Sequence, residues 1–297
     1  MAAAAERAGR ICMVGFQALH GADIGFVKER VVSGRIGAVK SLACQAGWPR
    51  DRAYYARNDW AGRLKVGEAW VLDGPATNAL AHQVANMLYL ASPEPLRLAV
   101  PTAVRAELYA AGPAESHDTA AIEIRTREGA TAYWIGSHCS QTTFGPVIDI
   151  EAERARVVWS MGGGATVTYE DGSQEVCPGD RGGAQDQMVA DFVAAIRADD
   201  ASGLAGRVAD VRPFVLAIDG AHESSGRIHR IGAAHSHRVG EGTDEARTVV
   251  ARIDEAITCA AEERRLFSDL SDAPPWAVAT EGFDLGGYRA FPVRFAC

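Results

Sequence analysis

The sequence predicts an α+β fold: an open, mainly antiparallel β-sheet with helices packed on one face. Six strand-like segments between Ala103 and Tyr169 follow one another with turn signals between them and no helical pattern intervening. Three segments of helical periodicity come after them. The dinucleotide fingerprint GxGxxG, which marks a doubly wound parallel sheet, is absent. Strands in a run and then helices favour an antiparallel sheet with its helices on one side.

Taken in order, residues 2–8 favour helix. Ile11–Phe16 (ICMVGF) is an apolar run of strand length, and Ile24–Val32 reads as a helix ended by Ser33-Gly34. From Ile36 the texture changes, and IGAVKSLACQ reads as a strand. Residues 47–76 are a long segment broken by Gly and Pro and carrying Trp48, Trp60 and Trp70. Segments of that length without regular structure are uncommon and often functional. Residues 77–91 read as a helix. Then come the strands Ala103–Ala110, Ala120–Thr126, Thr131–Ser137, Val147–Ile150, Ala155–Ser160 and Ala165–Tyr169, with RARVVW placed at an edge and a turn at Glu170-Asp171-Gly172. The run Gly162-Gly163-Gly164 precedes a strand, which makes it a turn. Helical spacing follows in Met188, Val189, Phe192, Val193 and Ile196; in Val211, Phe214, Val215 and Ile218; and in Val249, Val250, Ile253 and Ile257. Asp210 is placed to N-cap the second of these, with Pro213 in its first turn. The tail, with Pro274, Pro275, Gly286 and Gly287, is irregular.

The chain has 297 residues, 47% hydrophobic and 23% charged, enough for a sizeable core. Asp and Glu outnumber Lys and Arg by 38 to 30, a formal net charge of −8. This argues against nucleic acid or an anionic membrane as partner. No stretch reaches the ~18 apolar residues of a membrane helix, and MAAAAERAGR lacks the make-up of a secretory signal, so the expected location is the cytoplasm. Lys28, Lys40 and Lys65 are the only lysines. The six cysteines are scattered without a CxxC pair and read as reduced, unpaired thiols.

Tests for metal and nucleophile motifs fail. There is no phosphate loop and no GxSxG elbow, and His222-Glu223 begins an HExxH motif that Gly226 ends. His235 and His237 sit in a Gly- and Ala-rich stretch that reads as a solvated loop, so no metal is expected. His117-Asp118 and His138-Cys139 read as structural polar pairs. The informative segment is TNALAHQVANMLYLA. On a helix of ~100° per residue, Asn78, His82 and Asn86 stack on one face and Leu80, Val84, Met87 and Leu88 on the other. The segment has no Lys, Glu or Arg, so its polar face is expected to look into a cleft together with part of residues 47–76.

Several segments, in order, resemble the glucose–fructose oxidoreductase, inositol dehydrogenase and rhizopine-catabolism family (Gfo/Idh/MocA). They are ICMVGFQALH, VKERVVSGRIGAVKSL, NDWAGRLK, VLDGPATNALAHQVANMLYL, HDTAAIEIRT, VTYEDGSQEV, DVRPFVLAIDGAHESSGRI, LFSDLSDAPPWA and FDLGGYRAFP. The resemblance implies a Rossmann domain for NAD or NADP followed by an open-sheet domain that binds substrate and forms the oligomer interface. Residues 1–35 would be the strand–helix end of the first domain and residues 36–297 the second. The bulk of the Rossmann domain, with the glycine fingerprint and the Glu-Lys-Pro motif of the catalytic lysine, would be missing.

The family's substrate helix carries an acidic residue and a histidine four positions apart, here matched by Asn78 and His82. The resemblance thus implies His82 as acid/base, fitting a group that titrates near neutrality, with Asn78 and Lys65 as substrate contacts and Gln17 at the cofactor edge. It implies a sugar or polyol substrate oxidised by hydride transfer to nicotinamide in a full-length relative; the lack of a phosphate-cradling loop at a helix N-terminus predicts no tight NAD or NADP binding by this chain alone. A sheet covered on one face implies a homo-oligomer, dimer or tetramer. The alternative is a non-catalytic carbohydrate-binding or scaffold oligomer, or a subunit that pairs with a separate Rossmann chain.

Overall fold

Residues 101–178 build most of a ten-stranded sheet, and the strand that centres it comes from much earlier in the chain. The computed structural model describes residues 1–179 and 182–296. Its strands are β1 (Val39–Gly47), the small hairpin β2 (Lys65–Val66) and β3 (Ala69–Trp70), β4 (Pro101–Ala110), β5 (Thr119–Thr126), β6 (Thr131–Ser137), β7 (Phe144–Ala152), β8 (Ala155–Ser160), β9 (Gly164–Tyr169), β10 (Gln174–Pro178), β11 (His229–Arg230), the hairpin β12 (Ser236–Val239) and β13 (Arg247–Val250), and β14 (Phe283–Asp284). The helices are α1 (Ala2–Ala8), α2 (Ala22–Val32), α3 (Arg52–Ala56), α4 (Ala81–Ala91), α5 (Gly183–Ala198), α6 (Arg212–Ser225) and α7 (Ile253–Glu263).

The sheet runs β10-β9-β8-β7-β1-β6-β5-β4-β11, with β14 also on β4. Two antiparallel meanders, β4 to β6 and β7 to β10, are sewn together by β1, which pairs parallel with β6 and antiparallel with β7. The protein is therefore α+β, with a mixed, mainly antiparallel sheet.

Side-chain alternation divides the core in two. Leu42 and Cys44 of β1, Ile122 and Ile124 of β5, Trp134 of β6 and Val157 of β8 face α2, α4 and α6. Between them lie Ile24 and Val27 of α2, Val84, Met87 and Leu88 of α4, and Ala217 and Ile218 of α6. Each aliphatic or aromatic side chain of this size contributes about 1.5–3 kcal/mol on burial. The residues between, Ala43, Ala121 and Ile135, point the other way with Tyr109. There they meet Ile253, Ile257 and Ala260 of α7 and the rings of Phe267 and Trp276. On this opposite face α7 is the helix that packs, among the described residues. The outward side of β8 and β10 keeps Val158 and Val176 exposed.

Five expectations are corrected, the first being RARVVW at an edge: β8 pairs with both β7 and β9. Ile11–Phe16 is no sheet strand. It makes one antiparallel bridge, Met13 to Arg207, and then enters the 3-10 turn Gln17–His20. Its partner is the irregular stretch around Gly206, whose carbonyl accepts the Val14 N–H. Val249 and Val250 belong to β13, because Arg252 at φ 58° breaks the chain before α7 starts. Asp210 does not cap α6; its carboxylate is drawn to the guanidinium groups of Arg97 and Arg207. The helix read at 77–91 begins at Ala81.

Two buried charges fasten helix ends. Lys28 donates to the carbonyls of Tyr89 and Ser92, both at 2.6 Å, closing the C-terminus of α4. Burial lowers its pKa to about 7, against the smaller upward pull of Glu94 and Glu128. Glu223 on α6 accepts from the backbone N–H groups of Val293, Arg294 and Phe295 and from the Tyr288 hydroxyl. This binds the last described residues across α6, with Phe291 and Phe295 against the His222 ring. The five described cysteines are free, and Cys297 lies outside the described residues. No helix among the described residues is long and apolar enough to cross a membrane.

Candidate functional site

A cavity of about 360 Å³ opens where the turn Gln17–His20, the start of α2, the end of β1, the start of α4, β8 and the start of α5 meet. Gln17, Asp23, Trp48, His82, Trp159 and Gln185 contribute to its wall.

His82 is the one residue of α4 that is not buried. Its ring stands edge-on to Phe16, 5.6 Å between centroids, and its Nδ1 is buried without a partner. Burial lowers its pKa, so the imidazole is neutral near pH 7 and open to a proton. Asp23, buried in the same wall, accepts from Trp159 Nε1 and from the Ile24 N–H, both at 2.8 Å. The arrangement offers a neutral imidazole, a fixed carboxylate, the side-chain amides of Gln17, Gln83 and Gln185, and two indoles. Such a mixture suits a small polar molecule with hydroxyl groups and one apolar face.

The structure brings His82 and Gln17 together with Trp48 of the 47–76 segment, and places Asn78 and Lys65 elsewhere. Asn78 is not on the helix. Gly74 and Pro75 turn the chain; a Cβ on Gly74 would lie 2.4 Å from the His117 ring. Thr77 Oγ1 accepts from the Gly74 N–H at 2.7 Å and donates to the Leu72 carbonyl at 2.6 Å. These local bonds compete with helix formation, so α4 starts late. The Asn78 amide donates to Asp73 at 2.8 Å, and Asp73 holds the Gly62 N–H. Asn86 is fully buried and donates to Gln83 at 3.2 Å, so the expected Asn–His–Asn polar face does not form. Lys65 is exposed on β2, its ammonium 3.9 Å above the Trp70 ring. The apolar half of the expectation holds: Leu80, Val84, Met87 and Leu88 are all buried.

Asp23, Trp159 and Gln185 were not singled out from sequence. Asp23 had one local signal, an acid in the first turn of α2. Trp159 had only its place on a strand, and Gln185 none. Among the described residues no group of three or more His, Cys, Asp or Glu converges in a way that would hold a metal.

The fold is shared with solved oxidoreductases. One is an oxidoreductase from Agrobacterium radiobacter in complex with NAD+, L-tartaric acid and magnesium: TM-score 0.55, 18% identity, 74% of this chain and 64% of that one. Another is the WlbA dehydrogenase from Bordetella pertussis in complex with NADH and UDP-GlcNAcA: TM-score 0.57, 19% identity, 74% and 63%. A third is levoglucosan dehydrogenase in complex with NADH and levoglucosan: TM-score 0.59, 16% identity, 73% and 64%. At such identities the likeness is one of fold. The chain spans less than two thirds of the length of these structures. No family model and no curated protein matches its sequence.

Proposed function

We propose that this chain is the substrate-binding part of a nicotinamide-dependent sugar or polyol oxidoreductase of the Gfo/Idh/MocA type. The observation that carries the reading is His82: a neutral imidazole with an unpartnered nitrogen, on a cavity wall, in a fold shared with NAD-bound dehydrogenases. In this reading His82 takes the proton of the reacting hydroxyl. Gln17 and Gln83 orient the substrate from the same wall, and Trp48 covers its apolar face. Asn78, through Asp73, holds the loop that precedes α4.

The reading expects no tight dinucleotide binding here, and the turn of Gly162–Gly164 between β8 and β9, where it opens no helix, supports that. The reading assigns NAD or NADP to the third of the neighbours' length that this chain does not span, with residues 1–35 as the end of that domain and 36–297 as the substrate domain. A cytoplasmic homo-oligomer completes the proposal. The exposed Val158 and Val176 on the open side of the sheet support that association.

The test is calorimetric titration of the chain with a panel of sugars and polyols that includes levoglucosan and glycerol, alongside NAD+ and NADPH. The expected result is saturable binding of at least one polyol, lost in His82→Ala, with no tight binding of either dinucleotide. A panel without a single binder, or equal binding by His82→Ala, would overturn the reading.

A further inference from the structure

We propose a second binding site, for a dianionic oxyanion carried as a phosphate ester, in the arginine-lined cavity between the end of β1 and the β12–β13 hairpin. The cavity measures about 210 Å³. Arg50, Arg52, Arg238 and Arg247 line it with a single carboxylate, Asp51, in a chain whose net charge is −8. That carboxylate is already engaged, accepting the Tyr54 N–H at 2.8 Å as the N-cap of α3.

Two of the four guanidinium groups, those of Arg247 and Arg50, are held in place without being neutralised. Arg247 donates to the carbonyls of Ser140 and Gln141, at 2.9 and 3.2 Å, which fixes its fork without cancelling its charge. Arg50 is stacked near Trp48 and Tyr54, 5.3 and 4.7 Å from the ring centroids. Its Nε is buried with no hydrogen-bond partner. Arg238 has only a loose contact to Glu241 at 3.8 Å, both side chains exposed, and Arg52 has no ion pair among the described residues. Four fixed or adjacent guanidinium groups facing one occupied carboxylate leave an excess charge that a monoanion would not balance. Arginine forks match phosphate oxygens two at a time.

The charge of Arg50 also bears on a buried neighbour, His138, whose ring packs against Tyr54. The buried His138 imidazole is pushed down to about 3, first by burial and then by the positive charge of Arg50 and Arg57. The cavity shares no lining residue with the His82 site, although Trp48 on that site and Arg50 on this one are two residues apart on the same segment. The inference does not rest on the oxidoreductase reading.

The experiment is titration of the full chain with inorganic phosphate at constant ionic strength, beside acetate and chloride. It is repeated with the double variant Arg52→Gln/Arg238→Gln and with Arg127→Gln, which lines a different cavity. Both substituted residues of the double variant are exposed and anchor nothing buried, so its melting temperature should match the parent. The expected result is saturable phosphate binding, weakened about tenfold or more in the double variant, as loss of charge-assisted contacts implies, and unchanged in Arg127→Gln. Binding of phosphate no tighter than acetate or chloride, or equal binding by the double variant, would overturn the site. Loss on Arg127→Gln instead would place the anion elsewhere with the same consequence.

Discussion

Helices α4 and α5 both carry apolar residues at helical spacing, yet one lies inside the molecule and the other on its surface. Every residue of α4 but His82 is buried, between the sheet, α2 and α6. On α5 only Ala195 is buried, and Val189 and Ile196 are 52% and 53% exposed. Its main tie is at the turn Gln17–His20, where His20 meets Asp191 at 2.7 Å. The periodicity says which stripe of a helix is apolar, but not what covers it. A helix without charge, like α4, can be enclosed on all sides; α5, with Asp186, Asp191 and Arg197, cannot.

The comparison breaks most directly in the core. Leu88→Ala should cost about 2–5 kcal/mol, whereas Ile196→Ser should stay within about 0.5 kcal/mol. Denaturant unfolding measures both. A large cost for Ile196→Ser would mean that α5 is covered in solution, by a second copy or another chain.

Burial on α6 predicts a pH dependence of nearly the same size. His222 Nδ1 donates to the Ile218 carbonyl, 2.9 Å away, and burial lowers its pKa to about 4. The unfolded chain therefore takes up this proton first. The stability that His222 contributes is complete above about pH 6.5 and falls as the pH drops towards 4, by roughly 3 kcal/mol. Half-buried Asp219, raised to about 6 by burial and by Glu223, works in the opposite sense. The measurement is thus the stability difference between the parent and His222→Asn, followed from pH 7 to 4. A flat difference would show that the imidazole is not sealed.

Glu223→Gln should lower stability by about 1–3 kcal/mol, since it weakens four bonds to one buried carboxylate at once without opening a cavity. His82→Ala should cost less, under about 1 kcal/mol, because its Nδ1 has no partner to lose. Thermal unfolding of both variants, with polyol binding followed for His82→Ala, would separate a cavity residue from a core one.

The strands from β4 to β9 were legible because alternation and turn residues are local. The place of β1 was not: nothing local says that the first strand of the sheet inserts between β6 and β7. His82 stood out as a polar residue in a charge-free apolar helix, and Gln17 through the family resemblance. Their shared cavity depends on packing between residues 65 positions apart. Asn78 was misplaced because Pro75 and the Thr77 hydroxyl hold a turn where the periodicity alone continues a helix. Asp23 and Trp159 were missed because each gains its meaning from the other, 136 positions away.

The grip of Glu223 on residues 293–295 makes the end of the described chain a latch, and latches can be timed. Arg289 is exposed but lies between Tyr288 and Val293, both held by Glu223. A protease cutting after arginine there would release the residues whose N–H groups the carboxylate collects, and with them the rings of Phe291 and Phe295 that shield His222. The rate of that cut therefore counts how often the latch lifts, and a carboxy-terminal fusion that strains it would quicken the clock before it disturbed the sheet.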